Sequence, residues 1–548
     1  MRKKIYYIKT FTALVMFALV LPSCQKFLDV NKNLNSPTAV PVSLLLSNAE
    51  LAISNNVALG TGLGNIAAVY THQITGRVGA DRYGAGSAGC VLADRLSQSG
   101  RSVLVIEAGP DLRFGAAPSG ISGPSFFAAM SEPGRIWSHV EAQRVVGQAR
   151  RPYARGRGIG GSSAVNAMIG LWGEVEDYDA WESDFGCQGW SWRDVEPYFR
   201  RIDIPLTKAD PGSPTRVGAA LFEACRLEGW TWHRGPFPLG GVGRDVGPVM
   251  LTRSTDGRRV TASDIYLERA RERSHVRILC DTLVDRVAMQ GTHAIGVVLA
   301  DGTLIESQET VICAGAIHSP AILLRSKIER PGIGQGLQDH ASAPLTLALR
   351  ETCPTDSVAA TTLARLSSGL EPADLQILAL DHFGEGANEF GQLAVALMHP
   401  RSHGQVTLAS VDPTVDPIVD FQMLSDERDV EALMVGVNVA RQLLQSSPLT
   451  DMSNGVFIDD RGTPVEALDQ SPDAIGEWLR AYTGDYVHAS GTCAMGDPGS
   501  ELSVVDCFGR VIGVTGLRVC DASIFPQVPR ANTHFPVMMA AEVIADRW

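Results

Sequence analysis

Beyond residue 84 the chain alternates apolar runs, amphipathic stretches and glycine-rich turns. Residues 102–109 (SVLVIEAG) form an apolar run, the pattern of a strand buried on both faces of a parallel sheet. Ahead of it, GCVLADRLSQSG puts Val91, Leu92 and Leu96 on one side of a helix. VICAGAIHSPAILLRS predicts a strand, a small-residue turn and a helix, and RILCDTLVDRVAMQGTHAIGVVLADGTLIE predicts strands with a hairpin. HGQVTLASVDPTVDPIVDFQML alternates apolar and polar positions as strands of a sheet do. A helix is expected to start near Ser425, with Asp426 and Glu427 in its first turn.

The first 83 residues read differently. MRKKIYYIK is basic, residues 11–21 are apolar, and PSC follows, ending at Cys24. That order predicts an export signal, and its apolar run is too short to span a bilayer. LPSC resembles a lipobox, which would leave Cys24 as a lipid anchor; the alternative is an ordinary signal with a chance cysteine. Residues 25–83 are rich in Asn, Ser and Leu and hold one amphipathic helix candidate at 41–53, with Val42, Leu45, Leu46 and Ala49 on one face.

Composition narrows the function classes. The 548 residues suffice for two or three domains, and a net charge of −13 without a basic run argues against nucleic acid as a partner. After Cys24, nine cysteines lie scattered with no C-x-x-C. This is the texture of a reduced, cytoplasmic type of chain, at odds with the export signal. No metal-ligand spacing is present.

The chemistry begins at Gly84, Gly86 and Gly89, a G-x-G-x-x-G that opens a helix. Its glycines let backbone approach a pyrophosphate, with Ser87 in the helix's first turn, and Glu107 ends the next strand where a carboxylate can accept from a ribose. The turn should follow a buried strand, yet THQITGRVGADRY precedes it and is a poor strand. Residue 84 therefore reads as a junction at which a first strand was lost. ARGRGIGGSSAVNAM adds Gly160, Gly161, Ser162 and Asn166, small groups that admit a planar ligand.

These motifs, with VICAGAIHSPAILLRS, GDYVHASGTCAMG and GLRVCDASIFPQVPRANTHFPVMMAAEVIAD, resemble the glucose–methanol–choline (GMC) family of FAD-dependent oxidoreductases over residues 84–548. LDVNKNLNSPTAVPVSLLL resembles the start of SusD-like outer-membrane lipoproteins, which would make the chain a fusion. The GMC resemblance implies an α/β, Rossmann-like FAD domain built from 84–200, 255–340 and 485–548. It also implies an α+β substrate domain with an antiparallel sheet from 201–254 and 341–484. It adds Val284, near the adenine, and Ala314, Gly315, Asp521 and Ala522 to the cofactor set. Gly170 stands where the family has an aromatic residue or alanine. Val165 stands where some members carry a flavin-linked histidine, so FAD is expected to be held non-covalently.

The resemblance assigns the main catalytic histidine to His488 and its His-or-Asn partner to His534. A neutral imidazole suits removal of an alcohol proton, and the flavin takes the hydride. The helix opening at His534 would turn its positive end to the site. His318 and His340 lie inside motifs and are expected to be structural; His139, His233, His275 and His293 have no supporting context. The function expected is FAD-dependent oxidation of a small-molecule alcohol. The alternatives are a surface glycan-binding lipoprotein and a fusion unable to hold FAD. Neither the alcohol nor the electron acceptor is named by the sequence.

Overall fold

The computed structural model describes residues 85–209, 216–235, 243–355, 357–384 and 386–548. Gly84, the export signal, Cys24 and the SusD-like stretch lie outside the described residues.

The helix expected after the glycine turn spans Ser87–Gln98, and all but its last turn is buried. The following strand, Val103–Ile106, pairs in parallel with Val276–Leu279. A second parallel pair joins Thr310–Ile312 to Leu517–Val519. Each pair is a separate two-stranded sheet, and among the described residues no strand joins them. Leu104, mid-strand, is 41% exposed, an apolar surface that a continuous parallel sheet would cover. The C-terminal helix His534–Asp546, apolar and buried along most of its length, packs against Ser87–Gln98. Arg95 and Glu542 lock the two helices with paired 2.8 Å hydrogen bonds.

A seven-stranded sheet forms the other wall. Its order is Ser453–Phe457, Ser342–Leu349, Phe390–Leu397, Leu375–Leu380, Ala360–Leu366, Asp245–Pro248 and Thr231–Trp232. All neighbours are antiparallel except the last pair. The helix Glu427–Leu444 covers one face, with Asp426 as its N-cap accepting from Arg428 N at 3.0 Å. A Cβ at Gly436 would lie 2.7 Å from Val395, so glycine permits this close seating.

Gly404–Thr407 and Ile418–Asp420 pair antiparallel outside this large sheet. They join Gln335–Leu337, Glu141–Gln143 and Arg151–Pro152 in a five-stranded sheet. The alternation reported half-buried strands and could not report their neighbours. This small sheet carries Asp339 and His340 at the end of one strand and Tyr153 and Arg155 at the end of another.

Candidate active site

Two loops bring the histidines together. Backbone bridges join Gln338 to Ser490 and Ser342 to Gly484, so residues 339–341 face 485–489. Between the bridges, His340 Nδ1 and His488 Nδ1 stand 2.7 Å apart, with both side chains fully buried. On the other side of the His488 ring, Asn532 Nδ2 donates to His488 Nε2 at 3.1 Å. That donation places the His488 proton on Nδ1, so His340 Nδ1 is its acceptor. The basic lone pair of His488 therefore sits on Nε2, beside Asn532.

Three side chains hold the peptide groups around His488. Asp339 Oδ1 accepts from His488 N at 2.9 Å. Tyr153 O–H donates to Asp339 Oδ2 at 2.6 Å and accepts from Ala489 N at 3.2 Å. Arg155 donates to Val487 O at 3.1 Å while its guanidinium lies 3.8 Å from the Tyr153 ring centroid. Val487 has φ of 61°, a costly conformation for a β-branched residue that these contacts hold in place.

Burial sets the protonation states. It pushes His488 well below the ordinary imidazole range, helped by His340 and Arg155, and lowers His340 to about 3. Burial also raises Asp339 to about 7, with Asp485 adding to the rise and the Tyr153 hydrogen bond opposing it. Ligand-capable atoms of Asp339, His340 and His488 lie within 4.8 Å of one another, but those named above are spent on bonds within the protein.

The partner expected at His534 is corrected by this geometry. His534 Nδ1 lies 2.9 Å from Ser87 Oγ, in the first turn of the glycine-turn helix, and Asn532 occupies the place beside His488. Asn532 precedes the helix while His534 opens it, so two residues' separation sends the side chains to different sites. His340, expected to be structural, is the nearer neighbour of the His488 ring. His318 does have a structural setting, stacked on Trp137 and paired with Asp416 at 3.0 Å.

The remaining candidates converge less tightly. Gly86 is the N-cap of the helix that contains Ser87 and Gly89. Gly160, left-handed at φ of 88°, donates to Ala85 O at 2.8 Å and ties Gly161 and Ser162 to that turn. Glu107 Oε1 accepts from Gly109 N at 2.9 Å and Gly158 N at 3.0 Å, so this oxygen holds backbone. Asn166 Oδ1 accepts from Met168 N and from Arg259. Val284 is buried at the start of its strand. Asp521 accepts from Gly315 N, next to Ala314, and from Ser523 N beyond Ala522. A Cβ at Gly170 would lie 2.9 Å from the Phe535 ring, which accounts for the departure at that position.

Two family models described as GMC oxidoreductase match residues 82–342 and 400–541. The chain belongs to the GMC oxidoreductase family. It is 33% identical over 529 residues to a 5-(hydroxymethyl)furfural oxidase of Methylovorus sp. (strain MP688), covering 84% of this chain and 97% of the relative. It is 31% identical over 541 residues to an oxygen-dependent choline dehydrogenase of Pseudomonas savastanoi pv. phaseolicola, covering 85% and 92%. The crystal structure of a pyridoxine 4-oxidase from Mesorbium loti superposes with a TM-score of 0.76 at 26% identity, over 86% of this chain and 99% of that one. This GMC oxidoreductase is therefore an FAD enzyme acting on CH–OH donors. The matches begin at residue 82 and give the SusD-like expectation for the preceding residues no support.

The residues present in this GMC chain fit FAD. Two helix N-termini meet at the Ser87–His534 hydrogen bond, where N–H groups and dipoles favour an anion such as a pyrophosphate. His534 Nε2 is buried there without a protein partner, and burial lowers this imidazole to about 3, keeping it neutral. Arg259 supplies a buried cation within electrostatic reach of His534, itself held by Ile121 O at 3.0 Å and Asn166 O at 2.6 Å. Asn166 Nδ2 and Asn532 Oδ1 are likewise buried without protein partners, as groups awaiting a polar ligand are.

Proposed function

We propose that the protein oxidises a primary alcohol to the aldehyde, with His488 as the base. One observation carries this reading: His488 is buried and neutral, with its proton directed to His340 and its Nε2 lone pair beside Asn532. An alcohol hydroxyl that displaces the Asn532 amide from Nε2 would give its proton to Nε2 and hold its oxygen on the displaced amide. FAD, when bound, supplies the hydride acceptor. As Nε2 takes the proton, His340 Nδ1 accepts from the charged ring and stabilises it. The burial of both histidines keeps water from competing for the base. The relatives named for hydroxymethylfurfural, choline and pyridoxine all take alcohols, which supports the substrate class.

The cofactor is proposed to be non-covalent, because Val165 has no atom that can bond to a flavin ring. Acid precipitation should release all flavin into the supernatant; flavin retained on the polypeptide would overturn this. The expectation of a lipid anchor at Cys24 rests on residues 1–24 alone. Metabolic labelling with palmitate, compared between the wild type and Cys24→Ser, tests it.

The central test is anaerobic mixing of FAD-loaded protein with excess benzyl alcohol and with short aliphatic primary alcohols. Bleaching of the flavin band that slows by roughly 10²–10⁴-fold in His488→Ala is the expected result. Bleaching at an unchanged rate would remove His488 from the reaction.

A further inference from the structure

Cysteines 187 and 507, far apart in the sequence, meet outside the histidine site. Cys187 sits in a tight turn: Cys187 N donates to Trp181 O at 3.0 Å and Trp190 N donates to Cys187 O at 3.1 Å. Cys507 begins a second turn in which Phe508 N and Arg510 N both donate to Asp506 Oδ1. Trp190 Nε1 donates to Cys507 O at 3.0 Å and fastens one turn to the other. The Cys507 thiol donates to Gly186 O at 3.6 Å, the same carbonyl that accepts from Gln188 N at 3.0 Å. The Cys187 thiol lies 3.9 Å from Phe185 O, so both sulfurs lie against the 185–186 backbone, close enough to each other for the two thiols to interact.

We propose that Cys187 and Cys507 form a peroxide-oxidisable thiol pair, in which Cys507 is the attacking sulfur and Cys187 resolves it to a disulfide. Asymmetry in their surroundings assigns the roles. Cys187 is fully buried, whereas Cys507 is partly exposed and can be reached by a molecule as small as hydrogen peroxide. The Cys187 thiol and Gln188 N, with the Arg547 cation nearby, hold the Cys507 thiol below its ordinary range. The nearby Cys507 thiol, with burial, pushes the Cys187 thiol up. Cys225, Cys280, Cys493 and Cys520 are all pushed up by burial and are poor nucleophiles.

The chemistry balances in two steps. The Cys507 thiolate attacks one peroxide oxygen, the O–O bond breaks, and hydroxide leaves a sulfenic acid on Cys507. Cys187 sulfur then attacks the Cys507 sulfur, expels its hydroxyl group as water with the Cys187 proton, and closes the S–S bond. Two electrons pass from the thiols to peroxide, and two thiols with one peroxide give one disulfide and two waters. The inference uses neither His488 nor the cofactor, so it stands or falls apart from the proposed alcohol oxidation.

The test treats purified full-length protein with a few equivalents of hydrogen peroxide, blocks remaining thiols with N-ethylmaleimide, and digests it without reductant. The expected product is one cross-linked peptide pair, containing Cys187 and Cys507, lighter by two hydrogens and abolished by dithiothreitol. Cys187→Ser should instead leave Cys507 as a sulfenic acid captured by dimedone, and Cys507→Ser should protect Cys187 from oxidation. A different cross-link, loss of another thiol before these two, or Cys507 unreactive in Cys187→Ser would each overturn the proposal.

Discussion

His340 and His488 share one proton between Nδ1 atoms 2.7 Å apart, and that proton's position decides which nitrogen of His488 is basic. His340→Ala removes the acceptor and leaves a buried N–H unpaired, a cost of about 1–3 kcal/mol. The His488 ring then loses both its tautomer preference and the partner of its charged form. Flavin reduction by alcohol should slow by about 10–100-fold with FAD content unchanged. His340→Asn, whose carbonyl can accept the same proton, should recover part of the rate. Stopped-flow reduction of both variants checks this; equal rates in wild type and His340→Ala would exclude the shared proton.

Asn532 and His534 stand two residues apart and should fail in different ways. Asn532→Ala touches the His488 Nε2 side and should lower the reduction rate while FAD stays bound. His534→Ala touches the two helix N-termini and should weaken FAD binding, with turnover per bound FAD largely retained. Equilibrium FAD titration alongside single-turnover kinetics separates the two. A loss of FAD in the Asn532 variant would contradict the placement.

Tyr153→Phe cuts two of the bonds around His488, leaving Ala489 N and one Asp339 oxygen unpaired. The loop from Val487 should loosen without any change in groups that touch substrate. The expected result is a fall of about tenfold in reduction rate, with alcohol affinity changed by less than about twofold. Faster hydrogen exchange at His488 and Ala489 amides, confined to that loop, should accompany it. Unchanged exchange there would show that the clamp is not needed.

Much of this arrangement was legible in the sequence. Glycine-turn spacing and apolar runs located the helix after the glycine turn and the strand that follows it, because local chemistry dictates both, while His488 was singled out by the family resemblance alone. What the sequence withheld depends on contacts between distant segments. Nothing near Tyr153 announces a hydroxyl for Ala489, and nothing near His340 announces His488 148 residues on. Asn532 was within sight, two residues before the histidine chosen in its place. Only the helix start at His534 decides which of the two side chains turns toward His488.

Acid should destabilise the apoprotein partly through His534. Its folded value of about 3 lies below the roughly 6.5 of an unfolded chain, so between those values the unfolded state binds one more proton. Stability from this group is full above about pH 6.5 and is lost as pH falls. His534→Gln has no such term. From about pH 7 to about pH 5 the wild type should lose roughly 2 kcal/mol relative to His534→Gln, measured by urea unfolding at each pH. A constant difference would mean that the imidazole is not held neutral.

The two parallel strand pairs, unjoined among the described residues, predict a gain from repair. Inserting the apolar segment Asp-Val-Leu-Ile-Val before Gly84 should raise FAD per chain and the thermal unfolding temperature. The ratio of flavin to protein absorbance measures the first. No change would show that the residues already preceding Gly84 serve as the strand.

The hydrogen bond from Ser87 to His534 spans 447 residues, and so does the Arg95–Glu542 pair. The two helices that flank the candidate phosphate site therefore meet only through tertiary docking, with nearly the whole described chain between them. A partly folded chain in which either helix is undocked holds half of that site, so tight cofactor binding is expected to report that both helices have docked.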